Sequence, residues 1–205
     1  WRWLFNLLEK IMKIFSFYKI ERIQNLISLK RKIIKEIEKN NIKGLVILSK
    51  EGINATIAGN SKDISNIVKY IKLILNIKKF DIENITYSSF VPFLKAKVKI
   101  KNEVVPMDYN FSFKNKITKN YLSPKKWDNL LSQKNVKIVD ARKPFEYEVG
   151  TFKGAINPNT YNFREFKTYL SNLDKKQKIG MFCTGGIRCE NCLLYTSPSP
   201  RDFEA

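Results

Sequence analysis

The chain has 205 residues and no histidine, and this absence removes several kinds of chemistry at once. Without imidazole there is no histidine general base and no non-haem iron site of two histidines and a carboxylate. Only three cysteines are present, all between Cys183 and Cys192, so a zinc site would lack its fourth ligand. Their clustering disfavours a disulfide-stapled secreted domain and favours a reducing compartment.

Long apolar runs are also missing. Residues 1–8 are mostly apolar, but Glu9, Lys10 and Lys13 interrupt that run, and no small-residue cleavage site follows. No later run approaches the length of a membrane span. We therefore predict a cytoplasmic protein with no membrane partner.

Acidic residues are scarce, with 19 Asp+Glu against 38 Lys+Arg and a net charge of +19. Such a charge attracts polyanions, which makes nucleic acid or an anionic surface a candidate partner. The alternative is a general compositional bias, since Lys, Asn and Ile are abundant together. The 43% hydrophobic and 13% aromatic content excludes a disordered chain. The length allows one large or two small domains.

The first half of the sequence predicts the order strand, helix, strand, strand, helix, strand. Aromatic and β-branched residues mark the strands, and apolar residues at helical spacing mark the helices. Gly52 and Asn54 predict a turn, and Ser61 is predicted to cap the second helix. These six segments are predicted at residues 14–20, 26–37, 45–48, 55–58, 61–75 and 82–88, and a further strand is predicted at 95–100. This order is typical of a ferredoxin-like α+β sandwich.

The second half begins with a predicted linker at residues 104–118, which lacks periodicity. A helix is then expected with Ser123 as its cap and Pro124 at its first position. Strands and helices alternate afterwards, at residues 136–140, 145–149, 163–170 and 179–182. This alternation predicts a mainly parallel α/β sheet with its functional site at the carboxyl end of a strand.

A seven-residue loop follows the last of these strands. It consists of Cys183, Thr184, Gly185, Gly186, Ile187, Arg188 and Cys189. Its adjacent glycines allow the backbone to turn several N–H groups toward one point, and such a ring of amides binds an anion. It also lowers the pKa of a thiol at its centre, and Arg188 adds a positive charge. The arrangement favours Cys183 as a thiolate or a persulfide carrier.

Several ordered motifs carry a family resemblance. Together with the cysteine loop, the segments IVDAR (138–142), FEY (145–147) and GTFKGAIN (150–157) resemble a rhodanese domain. The segments EGINATIAG (51–59) and FREF (163–166) narrow the resemblance to the rhodanese-domain tRNA uridine 5-hydroxylases. The resemblance spans roughly residues 12–190.

This resemblance implies an α+β ferredoxin-like (acylphosphatase-like) N-terminal domain followed by an incomplete α/β rhodanese-like domain. It also implies an oxidoreductase that forms 5-hydroxyuridine at the wobble position of tRNA, with dioxygen as co-substrate and Cys183 as the catalytic residue. No flavin, haem, iron or other metal motif is evident. Two alternatives remain open, namely a persulfide sulfurtransferase and a non-catalytic RNA-binding module.

The supporting residues expected at the site are Asp140, Arg142 and Glu146. They could form an acid/base set, but the rhodanese resemblance implies that they organise the loop and pair with one another. Cys189 is a candidate to resolve a persulfide or disulfide on Cys183, and a spectator thiol is the alternative. Cys192 is interpreted as incidental.

Two further segments allow both a functional and a structural interpretation. The alternating Lys95, Lys97 and Lys99 could contact an RNA backbone, or they could protect an edge strand from unwanted pairing. The Glu51 carboxylate on its glycine turn could be catalytic, although Gly52 and Asn54 are common turn residues.

The resemblance ends at Glu190. We predict an extension at residues 1–11, the ferredoxin-like domain at 12–103, the linker at 104–118, a partial rhodanese-like domain at 119–190 and a tail foreign to the family at 191–205. Pro198 and Pro200 oppose a helix in that tail. We therefore expect the loop to lack a following helix, the sheet to lack a strand, and residues after Glu190 to pack poorly.

Overall fold

The computed structural model describes residues 11–106, 121–174, 176–195 and 203–204. The chain divides into two compact units, Trp1–Val104 and Val105–Ala205. The first unit contains β1 (Met12–Ile20), α1 (Leu26–Lys39), β2 (Lys43–Ser49), β3 (Gly52–Gly59), α2 (Ser61–Ile74), β4 (Ile82–Ser88) and β5 (Ala96–Ile100). The second contains α3 (Pro124–Leu131), β6 (Val136–Asp140), α4 (Pro144–Val149), α5 (Glu165–Ser171), β7 (Lys178–Phe182), α6 (Ile187–Tyr195) and β8 (Phe203–Glu204). In none of these described ranges is a helix both long and apolar enough to span a membrane.

The first unit has a five-stranded sheet in the order β4-β1-β3-β2-β5. The first four of these strands pair antiparallel, and β5 adds to the edge parallel to β2. The arrangement confirms the predicted ferredoxin-like fold, in which two helices cross between strands of one sheet.

Both helices bury an apolar stripe on one face of this sheet, as the helical spacing predicts. The helices contribute Leu29, Ile33, Ile37, Ile64, Ile67 and Ile71 to the core. The sheet contributes Phe15, Phe17, Val46, Leu48, Ile53, Ile57 and Val98. Because side chains alternate along a strand, the intervening residues lie on the opposite face of the sheet.

The cap of α2 differs from the prediction by one residue. Asn60 is the N-cap, since its side-chain oxygen accepts the Asp63 amide at 2.8 Å, and Ser61 is the first helical residue. Asparagine and serine are nearly equal as caps, so propensity alone does not separate two adjacent candidates.

The second unit has a parallel sheet, as predicted. β6 pairs with β7, β7 pairs with β8, and a parallel bridge joins Val139 to Ile156. Ser123 caps α3 and Pro124 is its first residue, which confirms the predicted start of this helix. α3 lies close against β7, because a Cβ at Gly180 would come within 2.7 Å of a Leu130 methyl carbon. A side chain at position 180 would require the ends of the Leu130 and Ile138 side chains to shift.

The expectation that no helix follows the cysteine loop is wrong. α6 runs from Ile187 to Tyr195, past Glu190, and the side chain of Cys192 is buried. β8 also pairs with β7 through two residues, so the predicted absence of a further strand is not observed. The reason is that proline restricts mainly the residue before it, so Pro198 leaves the preceding turns free to be helical. Residues 196–202 and 205 lie outside the described residues, as do 1–10 of the predicted extension and 107–118 of the predicted linker.

Candidate active site

The cysteine loop lies at the carboxyl edge of the parallel sheet. Cys183 directly follows β7, and Asp140 is the last residue of the neighbouring β6. Parallel strands bring their carboxyl ends to one edge, which is where such folds place their sites. All three cysteines are free thiols, and Cys183 is partly exposed whereas Cys189 and Cys192 are buried.

The Cys183 sulfur is surrounded by hydrogen-bond donors. The Gly186 amide donates to it at 3.1 Å, and the nearby amides of Gly185, Arg188 and Cys189 contribute to lowering its pKa. Gly186 has a φ of 78°, in the left-handed region where a side chain is unfavourable. This conformation aims the Gly186 amide at the sulfur, in keeping with the anion-binding turn that the glycines predict.

The nearby thiol of Cys189 is the largest cause of the lowered pKa of Cys183. Its hydrogen bond, supported by the backbone amides, outweighs burial and lowers the pKa of Cys183 to about 6. At pH 7 roughly nine-tenths of Cys183 is therefore thiolate. The same hydrogen bond, together with burial, raises the pKa of Cys189 well above its usual value, so Cys189 keeps its proton.

Glu146 fastens the loop to α4. Its carboxylate accepts the Thr184 hydroxyl at 2.7 Å and the Arg188 guanidinium at 3.0 Å. Burial would raise the pKa of Glu146, but these bonds and the Lys143 amide lower it overall. Arg188 thus reaches Cys183 with its backbone amide, while its guanidinium is engaged by Glu146.

Asp140 is the other fixed carboxylate, and it is fully buried. It accepts the Arg142 guanidinium at 2.7 Å and the Thr151 hydroxyl at 2.9 Å. Burial would raise the pKa of Asp140, but the bonds from Arg142 and Thr151 hold it below the usual value. Arg142 also lies 5.4 Å above the Phe182 ring, next to the cysteine loop. Asp140 and Arg142 therefore pair with each other, as expected, whereas Glu146 pairs with the loop.

Two contributing residues were not singled out in the sequence, namely Thr151 and Asn157. The Asn157 amide donates to the backbone carbonyls of Asp140 at 3.2 Å and Arg142 at 2.9 Å, which holds the end of β6 in place. Both residues belong to the GTFKGAIN segment that carried the resemblance, so their place in that motif was the available signal.

Glu51 has a structural contact in the first unit. Its carboxylate accepts the Val104 amide at 3.1 Å, and burial raises its pKa. This contact supports the interpretation of the glycine turn as structural.

The three lysines that are candidates for RNA contact lie on or directly before the edge strand β5. Lys97 and Lys99 are exposed in β5, on the sheet face opposite the helices, next to Leu45 and Ile47 of β2. Lys95 is exposed just before the strand. We call the surface formed by these three lysines the lysine edge. Its position fits both a contact with RNA and protection of the sheet edge from pairing with another strand.

The low pKa of Cys183 predicts its reactivity. Alkylation of Cys183 in the folded chain should rise with a midpoint near pH 6, because the thiolate is the nucleophile, and near pH 8.5 in the unfolded chain. Cys189→Ala removes the strongest donor and should raise the midpoint. Arg188→Ala retains its amide and should raise it less. Iodoacetamide labelling quantified by peptide mass spectrometry measures the midpoints, and a folded-chain midpoint above pH 8 would contradict the prediction.

Comparison with known proteins identifies relatives of both units. Residues 12–104 match the UPF0176 acylphosphatase-like domain, and residues 123–197 match the rhodanese-like domain. A protein of Pelagibacter ubique named tRNA uridine(34) hydroxylase is 50% identical over 182 residues, which cover 89% of this chain and 60% of the relative. One of the same name from Legionella pneumophila is 40% identical over 183 residues, covering 88% of this chain and 72% of the relative.

Proposed function

Because the chain belongs to the tRNA uridine(34) hydroxylase family, we propose that it hydroxylates the wobble uridine of tRNA to 5-hydroxyuridine. Dioxygen is the proposed co-substrate and Cys183 the proposed catalytic residue. The observation that carries this proposal is the Cys183 sulfur at the carboxyl end of β7, which accepts the Gly186 amide at 3.1 Å. The chain spans 60% of the length of the Pelagibacter relative, so we assign the activity as a proposal.

The supporting residues have distinct proposed tasks. Glu146 holds the loop through Thr184 and Arg188, and Asp140 with Arg142 holds the adjacent end of β6. Neither carboxylate is available as a general base, because each is engaged by a cation and a hydroxyl. The Cys183 thiolate is the proposed nucleophile at this edge of the sheet.

Persulfide transfer is the second candidate, since an amide ring that holds a thiolate holds a persulfide equally well. Two parallel assays of the purified chain distinguish the two activities. Unmodified tRNA is incubated with the chain in air, and its nucleosides are analysed by mass spectrometry. In parallel, transfer of sulfur from thiosulfate to cyanide is measured. Formation of 5-hydroxyuridine supports the proposal, while sulfur transfer without 5-hydroxyuridine would favour the sulfurtransferase.

We further propose that the lysine edge contacts the phosphate backbone of the tRNA. The support is charge complementarity, since three exposed cations follow one strand edge in a chain of net charge +19. Next to them the sheet face offers Leu45 and Thr56, which share a row with Lys97. A row of exposed cations along a strand suits contact with a phosphate backbone. The three free thiols fit the reducing cytoplasm, which we propose as the compartment.

The affinity for tRNA is expected to fall steeply with salt, by a logarithmic slope of about 0.7–0.9 for each phosphate contact. Replacing Lys97 and Lys99 together by alanine should remove about one such contact per lysine and reduce the slope accordingly. The matched control replaces Lys35 and Lys69, which are exposed on the helices and change the net charge equally. Filter binding across a salt series measures both slopes. Equal losses from the two double variants would show that the lysine edge has no specific role.

A further inference from the structure

Phe152 places an aromatic ring beside the cysteine loop. Its ring contacts the ring of Phe182, with the two centres 4.9 Å apart and the two planes 85° apart. Phe182 is the last residue of β7 and is bonded directly to Cys183. The Phe152 ring also contacts Trp127 of α3, at 5.5 Å between centres. Because two other rings hold it, the Phe152 side chain has a defined place at the carboxyl edge of the sheet.

The Phe152 ring is nevertheless open to solvent, since the residue is 41% exposed. A side chain that its neighbours already hold loses little further freedom when a ligand covers it. Aromatic side chains supply a large contact area at low conformational cost for this reason. Phe152 therefore offers a preformed surface to a flat, apolar ligand group.

The surroundings of this ring are polar and positively charged. Arg142 connects it to the site, because the guanidinium lies 5.4 Å from the centre of the Phe182 ring and donates to the Gly150 carbonyl at 2.5 Å. Lys153 directly follows Phe152 and is exposed. A nucleotide matches such a surface, since its base stacks on an aromatic ring and its phosphate is attracted to a cation.

The proposed reaction requires such a surface. Enzymes that modify a base take it out of the stack with its neighbours and hold it between aromatic or apolar side chains. We propose that Phe152 is the stacking platform for the uracil ring of the wobble nucleotide, with Lys153 available to an adjacent phosphate. This inference rests on tRNA as the substrate of the proposed function. It adds a base-binding residue to the cysteine loop.

Phe145 is the competing ring near this edge. It is 62% exposed on α4, next to Glu146, whose carboxylate accepts the Thr184 hydroxyl of the loop. The contact that joins α4 to the loop is thus made by Glu146. The Phe152 ring itself contacts the residue before Cys183, and the structure therefore favours Phe152 as the platform.

A photochemical cross-link tests the contact without catalysis. The full chain with Cys183→Ser is mixed with a tRNA anticodon stem-loop that carries 5-bromouridine at the wobble position. This variant removes the thiolate, which would otherwise react with the bromouracil ring. After irradiation and trypsin digestion, mass spectrometry should locate the cross-link on Phe152. The expected peptide is 143–153, because trypsin does not cleave between Lys143 and Pro144, and its fragment ions separate Phe152 from Phe145.

Three further substitutions serve as controls for this cross-link. Phe152→Leu keeps an apolar side chain but removes the aromatic ring, so the yield should fall at least about fivefold. Phe152→Tyr retains the ring and should retain the cross-link. Tyr87→Leu should change nothing, since Tyr87 is 64% exposed on β4, at the opposite edge of the first sheet from β5. A cross-link to Phe145, or bound RNA without a cross-link to Phe152, would overturn the platform.

The same substitutions in the chain with Cys183 intact connect the platform to the reaction. Phe152→Leu should lower kcat/KM for tRNA at least about fivefold, mainly through KM, because stacking holds the base both before and during the reaction. Phe152→Tyr and Tyr87→Leu should stay within about twofold of the wild type. The pH midpoint of Cys183 alkylation without RNA should be the same in all three variants.

That midpoint separates base binding from a structural role in the loop. An unchanged kcat/KM in Phe152→Leu would contradict the proposal. A midpoint that moves by more than about half a pH unit would do so as well, because the substitution would then act on the thiol itself.

Failure of the platform and failure of the proposed function give different results. 5-Hydroxyuridine from the wild type with no cross-link to Phe152 overturns the platform alone. A cross-link to Phe152 with no 5-hydroxyuridine from the wild type overturns the hydroxylase proposal and leaves Phe152 as an RNA contact. No binding of the stem-loop at low salt overturns both.

Discussion

Cys183→Ser is expected to abolish 5-hydroxyuridine formation, with a rate loss of roughly three orders of magnitude or more. The serine hydroxyl stays neutral at pH 7, whereas the Cys183 thiol, with a pKa of about 6, is mostly ionised. The four amides and the Cys189 thiol would then surround a neutral group, and the stabilisation that they give an anion would be lost. Mass spectrometry of nucleosides from tRNA treated with each variant measures the effect.

The fold should survive this substitution, because serine is nearly the same shape and its hydroxyl can accept the Gly186 amide. Thermal unfolding and tRNA affinity of Cys183→Ser should therefore match those of the wild type. Cys192→Ser, which alters a buried thiol away from the loop, should retain activity. Full activity in Cys183→Ser would exclude a catalytic role for this residue, whatever the other variants do.

The fold of the first unit could be predicted because its periodicities are clear. Helical spacing places Leu29, Ile33 and Ile37 on one stripe, and the structure buries all three. Alternating aromatic residues such as Phe15 and Phe17 mark β1 and its buried face. The cap of α2 could not be chosen from the sequence, since Asn60 and Ser61 are adjacent and nearly equal as caps.

At the site, the sequence indicated which residues take part but not how they are connected. Arg188 was expected to lower the pKa of Cys183 through its charge, yet its guanidinium turns to Glu146 and its amide bonds to the sulfur. The largest contribution comes from the Cys189 thiol, whose orientation depends on the first turn of α6. Residue spacing fixes the loop length, but the direction of each side chain depends on packing that the sequence does not display.

The prolines after the cysteine loop show a second limit of prediction from the sequence, namely the position at which a helix ends. Pro198 opposes a helix that runs through it, but it does not determine where the helix before it ends. α6 therefore continues to Tyr195.

Asp140→Ala should lower the stability of the second unit by about 3–5 kcal/mol, because it breaks a buried ion pair from one side. Asp140 is fully buried, and the side chain of its partner Arg142 is only 18% exposed. Removing the carboxylate takes away the acceptor of the Thr151 hydroxyl and leaves the guanidinium with the Gly150 carbonyl as acceptor. A loss of this size is comparable to the whole stability of a small domain. The matched control is Asp128→Ala, an exposed carboxylate on α3 that should change stability by less than about 0.5 kcal/mol.

Urea unfolding followed by tryptophan fluorescence measures this loss. Trp127 reports on the second unit, because it packs against Phe152 and Phe182, and Trp1→Phe with Trp3→Phe removes the other two tryptophans. The pH dependence gives a second signature. Since the pKa of Asp140 is lower in the folded chain than in the unfolded chain, its contribution is complete above about pH 4 and disappears as the pH falls further. The stability difference between wild type and Asp140→Ala should therefore shrink as the pH is lowered below about 4. A difference that is below 1 kcal/mol at pH 7, or that stays constant in acid, would show that the Asp140–Arg142 pair does not hold this edge of the sheet together.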